Sequence, residues 1–285
     1  MKTIAVIGSN GDLGTILSQY LTAHGYRILR VARCYENIPF NERAKYCYTI
    51  EDLLTNVSGT GIDFCINTVC CYGRNGERFI DVFDANIQFG LDIYKYCVNK
   101  SINFINIGTV LPKDVSVYAL SKNIFQEILE KSNEKIFTMN LNLDIFYGPC
   151  LKGQDFISRF INNLSFGIPI PLTLGKHPRD FTYVLDVCSA IQFVIENSKI
   201  IEENGKSFSL SSNTAVRVKD FLLELKSQYE KECGAPAGEL EFGKVTMRDG
   251  EEIMNVYRPL TDFGWSKSFD YKRGIDLTIR GLMKT

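Results

Sequence analysis

The sequence predicts an α/β protein with a Rossmann-type, doubly wound parallel sheet and a smaller, interrupted carboxy-terminal domain. An apolar run at the amino terminus leads directly into the glycine-rich turn 8-GSNGDLG-14 and an amphipathic helix to about His24. Apolar runs and helical stretches then alternate to about residue 150, a pattern typical of parallel βαβ units. After 147-YGP-149 this alternation stops, and a passage rich in proline and glycine follows.

Composition restricts the class of protein. The 285 residues are 45% hydrophobic and 23% charged, and the net charge of −1 gives no bulk attraction to nucleic acid or membrane. No apolar run approaches the roughly 18 residues of a membrane span, so we expect a cytoplasmic enzyme. Nine cysteines without C-x-x-C spacing and only two histidines predict reduced thiols and no metal site.

The glycine-rich turn predicts a dinucleotide site. Glycines at positions 8, 11 and 14 allow a sharp turn and close approach of a pyrophosphate, with the helix amino terminus directed at its charge. The alternative is a tight turn without a ligand. The predicted cofactor-binding residues of this turn are Gly8, Asn10, Gly11, Asp12, Leu13 and Gly14.

The end of the second strand indicates which dinucleotide binds. The strand runs from Tyr26 to Ala32 and is followed by Arg33, where a cofactor with a free ribose 2′-hydroxyl would favour a carboxylate. A guanidinium suits a 2′-phosphate, so NADP(H) is the predicted cofactor. A solvated arginine is the alternative.

Two further segments are predicted to approach the cofactor. The buried strand 62-IDFCINTV-69 ends at Asn67, Thr68 and Val69, at the sheet edge where α/β folds bind ligands. One long helix is predicted from Arg78 to Lys100, with an apolar core stripe. Asn86 in that helix is either an ordinary polar position or a cofactor contact.

The stretch 104-FINIGTVLPKDVSVYALSK-122 carries the candidate chemistry. Phe104 to Ile107 predict a buried strand, which places Thr109 at its carboxyl edge. Tyr118 and Lys122 are four residues apart on the following helix and share one face. A nearby ammonium lowers a tyrosine pKa, so we expect Tyr118 to exchange a proton with a substrate oxygen that Thr109 also binds.

A second Tyr-x-x-x-Lys pair is the internal alternative. Tyr96 and Lys100 end a helix just before the strand that begins near Ile102. They are therefore predicted to lie at the amino edge of the sheet, away from the ligand side. This context favours Tyr118 and Lys122 as the catalytic pair.

The pattern predicts two domains that share a cleft. We expect residues 1–150, with about 180–205, to form the cofactor domain, and residues 151–179 and 206–285 to form the substrate domain. The cleft between the two domains is the predicted substrate site. The remaining predicted elements are helices at 155–163, within 179–197, at 218–231 and at 271–282, and a strand at 206–210.

Several motifs together resemble the extended short-chain dehydrogenase/reductases that act on nucleotide sugars. These are GSNGDLG, the Thr109/Tyr118/Lys122 set, 147-YGP-149 and 179-RDFTYV-184. The tail 241–275 resembles the ends of CDP-abequose and CDP-paratose synthases, which reduce a 4-keto-6-deoxy nucleotide sugar.

The resemblance implies roles and partners. It implies a catalytic triad of Thr109, Tyr118 and Lys122, with Thr109 also binding the substrate. It further implies diphosphate contacts from Arg179 and Arg248, a structural role for Asp186, and a homodimer that pairs the helices at 78–100 and 118–131.

Departures from the family pattern leave competing functions open. The family commonly has arginine near Asn142 and a polar residue near Ile145, which puts the contacts around the sugar in question. We expect an NADPH-dependent 4-ketoreductase of nucleotide sugars. The alternatives are an NAD-dependent epimerase and a non-catalytic NADP-binding regulator. A 4,6-dehydratase is disfavoured because Val110 and Leu111, not acids, follow Thr109.

Overall fold

The computed structural model describes residues 1–32, 47–49, 52–53, 61–149, 156–211, 214–234 and 236–283. Arg33, the residue predicted to bind a cofactor 2′-phosphate, lies outside these ranges. No helix within them is long and apolar enough to cross a membrane.

A parallel sheet of seven strands forms the centre of the described structure. Its strand order is β11-β6-β5-β4-β1-β2-β3, and every pairing is parallel. The order reverses beside β1, which makes the carboxyl edge between β1 and β4 the expected ligand crevice. The strands are β1 (Thr3–Ile7), β2 (Arg27–Ala32), β3 (Cys47–Thr49), β4 (Phe64–Asn67), β5 (Asn103–Thr109), β6 (Thr138–Leu143), β7 (Ile145–Tyr147), β8 (Ile170–Leu172), β9 (Pro178–Arg179), β10 (Phe181–Tyr183), β11 (Ser207–Ser209), β12 (Val216–Arg217) and β13 (Leu240–Phe242).

Helices cover both faces of the sheet, as the predicted doubly wound class requires. Apolar residues of α1 and α6 pack on one face, and those of α3 and α4 pack on the other. A π-helical turn, Asp84–Gln88, interrupts the single long helix that we predicted from Arg78 to Lys100. The helices are α1 (Asp12–Ala23), α2 (Phe79–Phe83), α3 (Phe89–Lys100), α4 (Val117–Lys131), α5 (Phe156–Ser165), α6 (Val184–Glu202), α7 (Val218–Cys233) and α8 (Tyr271–Leu282).

Three asparagines form a buried ladder across neighbouring strands. Asn67, Asn106 and Asn140 occupy paired positions on β4, β5 and β6. The Asn67 amide donates to Asn106 Oδ1 at 3.0 Å, and the Asn106 amide donates to Asn140 Oδ1 at 2.6 Å. All three side chains are buried. A satisfied polar network of this kind fixes strand register, because a slip would leave buried amides unpaired.

A separate apolar cluster lies beside the sheet. It joins α5, α7 and α8 with β7, β8 and β10. The Phe181 and Phe221 rings stack with centroids 3.7 Å apart, and the Tyr147 hydroxyl donates to Tyr271 O at 3.0 Å. This cluster contains much of the expected second domain. One assignment differs, since β11 pairs with β6 and extends the central sheet to Ser209, whereas we placed residues 206–285 in the second domain.

Candidate active site

The glycine-rich turn has the conformation that a dinucleotide site needs. Gly8 has φ +82°, a backbone conformation that residues other than glycine rarely adopt. A Cβ on Gly14 would lie 2.2 Å from Gly8 O, so the close contact between turn and helix requires glycine there. Helix α1 begins at Asp12 with Gly11 as its amino-terminal cap and no side-chain capping bond. Its backbone donors therefore suit an anionic group such as pyrophosphate.

The end of β4 forms the adjoining wall. A Cβ on Gly8 would come within 3.0 Å of both the Thr68 hydroxyl and Val69 Cγ2. The Thr68 hydroxyl donates to Ile7 O at 2.8 Å. Asn67 is buried, and its Oδ1 accepts from Val69 N at 3.2 Å, so its side chain faces the sheet. Asn67, one of the three residues predicted here as cofactor contacts, thus hydrogen-bonds to Asn106 and to Val69 N.

The structure brings Thr109, Tyr118 and Lys122 together at the carboxyl edge of the sheet. Thr109 is the last residue of β5 and is buried. The Ser116 hydroxyl caps α4 by accepting from Ala119 N at 3.1 Å, which places Tyr118 in the first turn of that helix. Lys122 is buried one turn later, and its ammonium donates to Ile107 O at 2.8 Å and to Val69 O at 3.2 Å.

The pKa of Tyr118 differs from our expectation. Burial raises this pKa, and contact with the Cys70 thiol raises it further, whereas the Thr109 hydroxyl and the Arg74 charge lower it. Lys122 directs its ammonium at two backbone carbonyls, and burial lowers its own pKa. The expected lowering of the tyrosine pKa toward neutrality is therefore wrong for this geometry. A raised pKa keeps the phenol protonated, which is the state that a proton donor requires.

The competing Tyr-x-x-x-Lys pair lies elsewhere. Tyr96 is buried in the apolar cluster beneath α3, and Lys100 is the last residue of that helix, just before β5 begins. The pair is thus at the amino edge of the sheet, as predicted. It has no access to the ligand crevice.

Asn86 occupies the π-helical turn and holds a loop in place. It is buried, its Oδ1 accepts from Cys71 N at 2.8 Å, and its amide donates to Cys71 O at 2.8 Å and Ser121 Oγ at 2.9 Å. Both amide hydrogens of Asn86 are therefore committed to protein acceptors. Irregular helical turns of this type often occur at functional sites.

A cavity of about 310 Å³ opens beside Tyr118. Arg248 lines it, and its backbone N–H donates to Glu251 Oε2 at 3.3 Å. The cavity is bounded by three segments, residues 72–82, 111–118 and 248–251. The cavity thus lies between Tyr118 and residues of the carboxy-terminal part of the chain.

Arg179 does not have the position that we expected of a diphosphate ligand. Its guanidinium donates to Asp144 Oδ1 at 3.0 Å and to Glu251 O at 2.6 Å, and it is 3% exposed. Asp144 Oδ2 also accepts from Asp180 N at 2.8 Å, and burial raises the pKa of this carboxyl to about 6. Arg179 is therefore a buried ion-pair partner that fixes the segment bearing Arg248.

Asp186 has the structural role that the resemblance implied. It is buried in the first turn of α6, and its two oxygens accept from Ser268 N at 2.8 Å and Phe269 N at 3.2 Å. These bonds tie the helix to the segment that leads into α8.

The segment 70–74 also lies beside Tyr118, although no sequence motif had indicated it. Cys70 is exposed and its thiol interacts with Tyr118, and the Tyr72 ring centroid lies 4.9 Å from that of Tyr118. Arg74 lines the same cavity. The available signal was position, because these residues follow β4 at the same edge that made Thr109 a candidate.

Comparison with known proteins places this geometry in a family. The model of the NAD dependent epimerase/dehydratase family matches residues 4–208. CDP-abequose synthase from Salmonella typhimurium is 26% identical over an alignment of 301 positions, which covers 98% of each chain. The enzyme of the same name from Salmonella muenchen is 25% identical, with 96% of each chain covered.

Solved structures share the fold. UDP-glucose 4-epimerase from Thermotoga maritima superposes with a TM-score of 0.80 at 18% identity and covers 99% of both chains. The dTDP-glucose 4,6-dehydratase from Bacillus anthracis, in complex with NAD, has a TM-score of 0.77 at 17% identity and covers 100% of this chain and 97% of its own. At identities of 17% and 18%, the similarity to these two structures shows a shared fold and no more.

Proposed function

Because this chain belongs to the NAD dependent epimerase/dehydratase family, we propose that it is an NADPH-dependent nucleotide-sugar ketoreductase. The reaction proposed is reduction of the C4 carbonyl of a 4-keto-6-deoxy nucleotide sugar. Such a reaction supplies precursors of deoxysugar-containing polysaccharides.

The convergence of Thr109, Tyr118 and Lys122 beside the cavity carries the proposal. A protonated phenol in hydrogen-bonding contact with a threonine hydroxyl is a suitable donor to an alkoxide that forms from a carbonyl. The near full-length similarity to proteins named CDP-abequose synthase supports reduction over other reactions of the family.

Each residue has a step in the proposed mechanism. A reduced nicotinamide dinucleotide, when bound, would supply the hydride that reduces the carbonyl carbon. Tyr118 donates its proton to the carbonyl oxygen, and Thr109 binds that oxygen and stabilises its developing charge. Lys122 uses two ammonium hydrogens on Val69 O and Ile107 O, and its third is proposed to bind the cofactor ribose.

Cofactor and substrate are proposed to bind at adjacent sites. The donors at the start of α1 would bind the dinucleotide pyrophosphate, with Thr68 and Val69 as the side wall. Arg33 would bind the 2′-phosphate of NADP(H). Arg248 would contact the substrate diphosphate within the cavity.

We also infer a homodimer that pairs the helices at 78–100 and 118–131. Apolar side chains on these helices are exposed, including Phe79 at 56%, Ile80 at 50% and Ile128 at 37%. Exposed apolar groups on adjoining helices favour burial against a second copy.

A substrate panel tests the reaction. CDP-, dTDP-, GDP- and UDP-linked 4-keto-6-deoxy sugars are each incubated with NADPH, and absorbance at the reduced-nicotinamide band is followed together with product analysis. The proposal expects stoichiometric oxidation of NADPH with at least one of these substrates. Absence of turnover with the whole panel would contradict it.

An epimerase that retains NAD is the second candidate. The favouring observation is the fold likeness to UDP-glucose 4-epimerases at a TM-score of 0.79 to 0.80. Protein purified with bound NAD, and interconversion of C4 epimers without added cofactor, would place this function first.

A further inference from the structure

We propose that Arg74 is a substrate-binding residue, which contacts the sugar-linked phosphate of the substrate in the cavity that Arg248 also lines, while the Tyr72 ring supports its guanidinium. The inference rests on the proposed function because it takes the substrate to be a nucleoside diphosphate sugar.

The segment that bears Arg74 is fixed next to the catalytic helix. Asn86 holds both backbone polar groups of Cys71 at 2.8 Å, and its amide also reaches Ser121 on α4 at 2.9 Å. The Ser121 hydroxyl donates in turn to Tyr118 O at 2.8 Å. The loop at Cys71 and the helix at Tyr118 are therefore joined through the buried amide of Asn86, which limits their relative movement.

The side chains of this segment form a stack that ends at the catalytic tyrosine. The centroid of the Tyr72 ring lies 4.9 Å from that of Tyr118, and Arg74 Cζ lies 5.1 Å from the Tyr72 centroid. A guanidinium at this distance from an aromatic centroid is attracted to the ring, which orients it without neutralising its charge. Arg74 is thus held within reach of a ligand whose reacting oxygen is at Tyr118.

The cavity lining carries two positive and two negative side chains, and its two guanidinium groups are the ones able to bind an anionic group. Arg74 and Arg248 line it together with Glu77 and Glu251. Both carboxylates accept backbone hydrogen bonds, Glu77 from Asn75 N at 2.7 Å and Glu251 from Arg248 N at 3.3 Å. Within the described ranges, no salt bridge involves the side chain of either arginine.

The contrast with Arg179 makes the assignment specific. That guanidinium donates to Asp144 and to Glu251 O and is 3% exposed, so a ligand in the cavity has little access to it. Arg74 has the complementary features, since it lines the cavity and lowers the pKa of Tyr118 through its charge. A planar guanidinium also matches the geometry of phosphate oxygens.

Equilibrium binding tests the proposal without any need for turnover. CDP-glucose, UDP-glucose, dTDP-glucose and GDP-mannose are titrated by calorimetry into the full-length wild type and into the Arg74→Ala, Arg74→Lys and Arg78→Ala variants. Arg78 is the matched control because it is exposed and pairs with Asp81 outside the cavity lining.

Arg74→Ala is expected to raise the Kd of the best-bound nucleotide sugar about 10- to 100-fold, the range for loss of a charge-assisted bond. Arg74→Lys should recover part of that loss, Arg78→Ala should match wild type, and the Kd of NADPH should stay within about twofold in all variants. Tyr72→Ala should weaken binding in wild type but have little further effect in Arg74→Ala, since it acts through the arginine.

The outcomes separate this inference from the proposed function. If wild type binds a nucleotide sugar and reduces no 4-keto sugar, the function fails, and loss of binding in Arg74→Ala still supports the role of Arg74. If wild type turns over and the Kd rises less than about tenfold in Arg74→Ala, this inference alone is overturned. An equal loss of NADPH affinity, or no binding of any probe by wild type, also overturns it.

Discussion

Replacing Asp144 with alanine should destabilise the protein strongly, because it removes both oxygens that accept from Arg179 and from Asp180 N, whereas a protonated carboxyl keeps them. The two side chains are 6% and 4% exposed, and their ion pair measures 3.0 Å. Loss of one partner from such a pair costs about 3–5 kcal/mol. The Asp144→Leu/Arg179→Met double variant removes both charges and should recover at least half of that loss, since apolar replacement of a buried pair is often close to neutral.

The same pair predicts how the free energy of unfolding depends on pH. Burial raises the pKa of Asp144 to about 6 in the folded protein, above the value of about 3.9 for an unfolded chain. The folded state therefore binds this proton more readily, so the contribution to stability increases as pH falls through 6 and is complete near pH 4. The shift corresponds to roughly 3 kcal/mol for this group.

Urea unfolding followed by fluorescence of Trp265, the one tryptophan of the sequence, measures both effects. As pH is lowered from 7 to 4, the free energy of unfolding of the wild type should rise by up to about 3 kcal/mol relative to that of the double variant. Asp262→Asn is the control, because its pair with Arg258 is about half exposed and should contribute about 0–1 kcal/mol. If Asp144→Ala lowered the free energy of unfolding no more than Asp262→Asn does, the buried Asp144–Arg179 pair would not stabilise the fold as proposed.

Three further predictions concern cofactor and assembly. Gly14→Ala should reduce NADPH affinity more than tenfold, because its Cβ would meet Gly8 O at 2.2 Å; unchanged fluorescence titration of NADPH would contradict this. NADPH should bind about 10- to 100-fold tighter than NADH, with the preference weakening in salt and inverting in Arg33→Asp; equal dissociation constants would favour the epimerase. Light scattering should give a dimer through the helices at 78–100 and 118–131, and monomer alone across micromolar concentrations would refute that pairing.

Local patterns were sufficient to predict most of the fold. The helix predicted at 271–282 is Tyr271–Leu282 in the structure, and the strand predicted from Phe104 places Thr109 at its carboxyl end. Apolar periodicity and glycine turns act between near neighbours, so one sequence is enough to locate them. Open α/β sheets bind ligands at the carboxyl ends of their strands, and this rule would also have indicated Arg74, which follows β4.

Contacts between distant residues could not be predicted in this way. Asp144 and Arg179 are 35 positions apart, and their pairing depends on β7 and β10 lying side by side. The register of Asn67, Asn106 and Asn140 likewise appears only when three strands align. Side-chain pKa values depend on such assembly, which explains why the effect expected of Lys122 on Tyr118 was wrong.

The rate of NADPH oxidation by Tyr118→Phe, with the best 4-keto nucleotide sugar of the panel, tests the central claim most directly. The change removes the proposed proton donor and little else, so turnover should fall about 10²–10⁴-fold while the Kd of NADPH stays nearly constant. Tyr96→Phe, which alters the buried tyrosine at the opposite edge of the sheet, should keep wild-type turnover per folded molecule. Near-normal turnover in Tyr118→Phe alongside an unchanged control would contradict the assignment of this tyrosine as the catalytic acid.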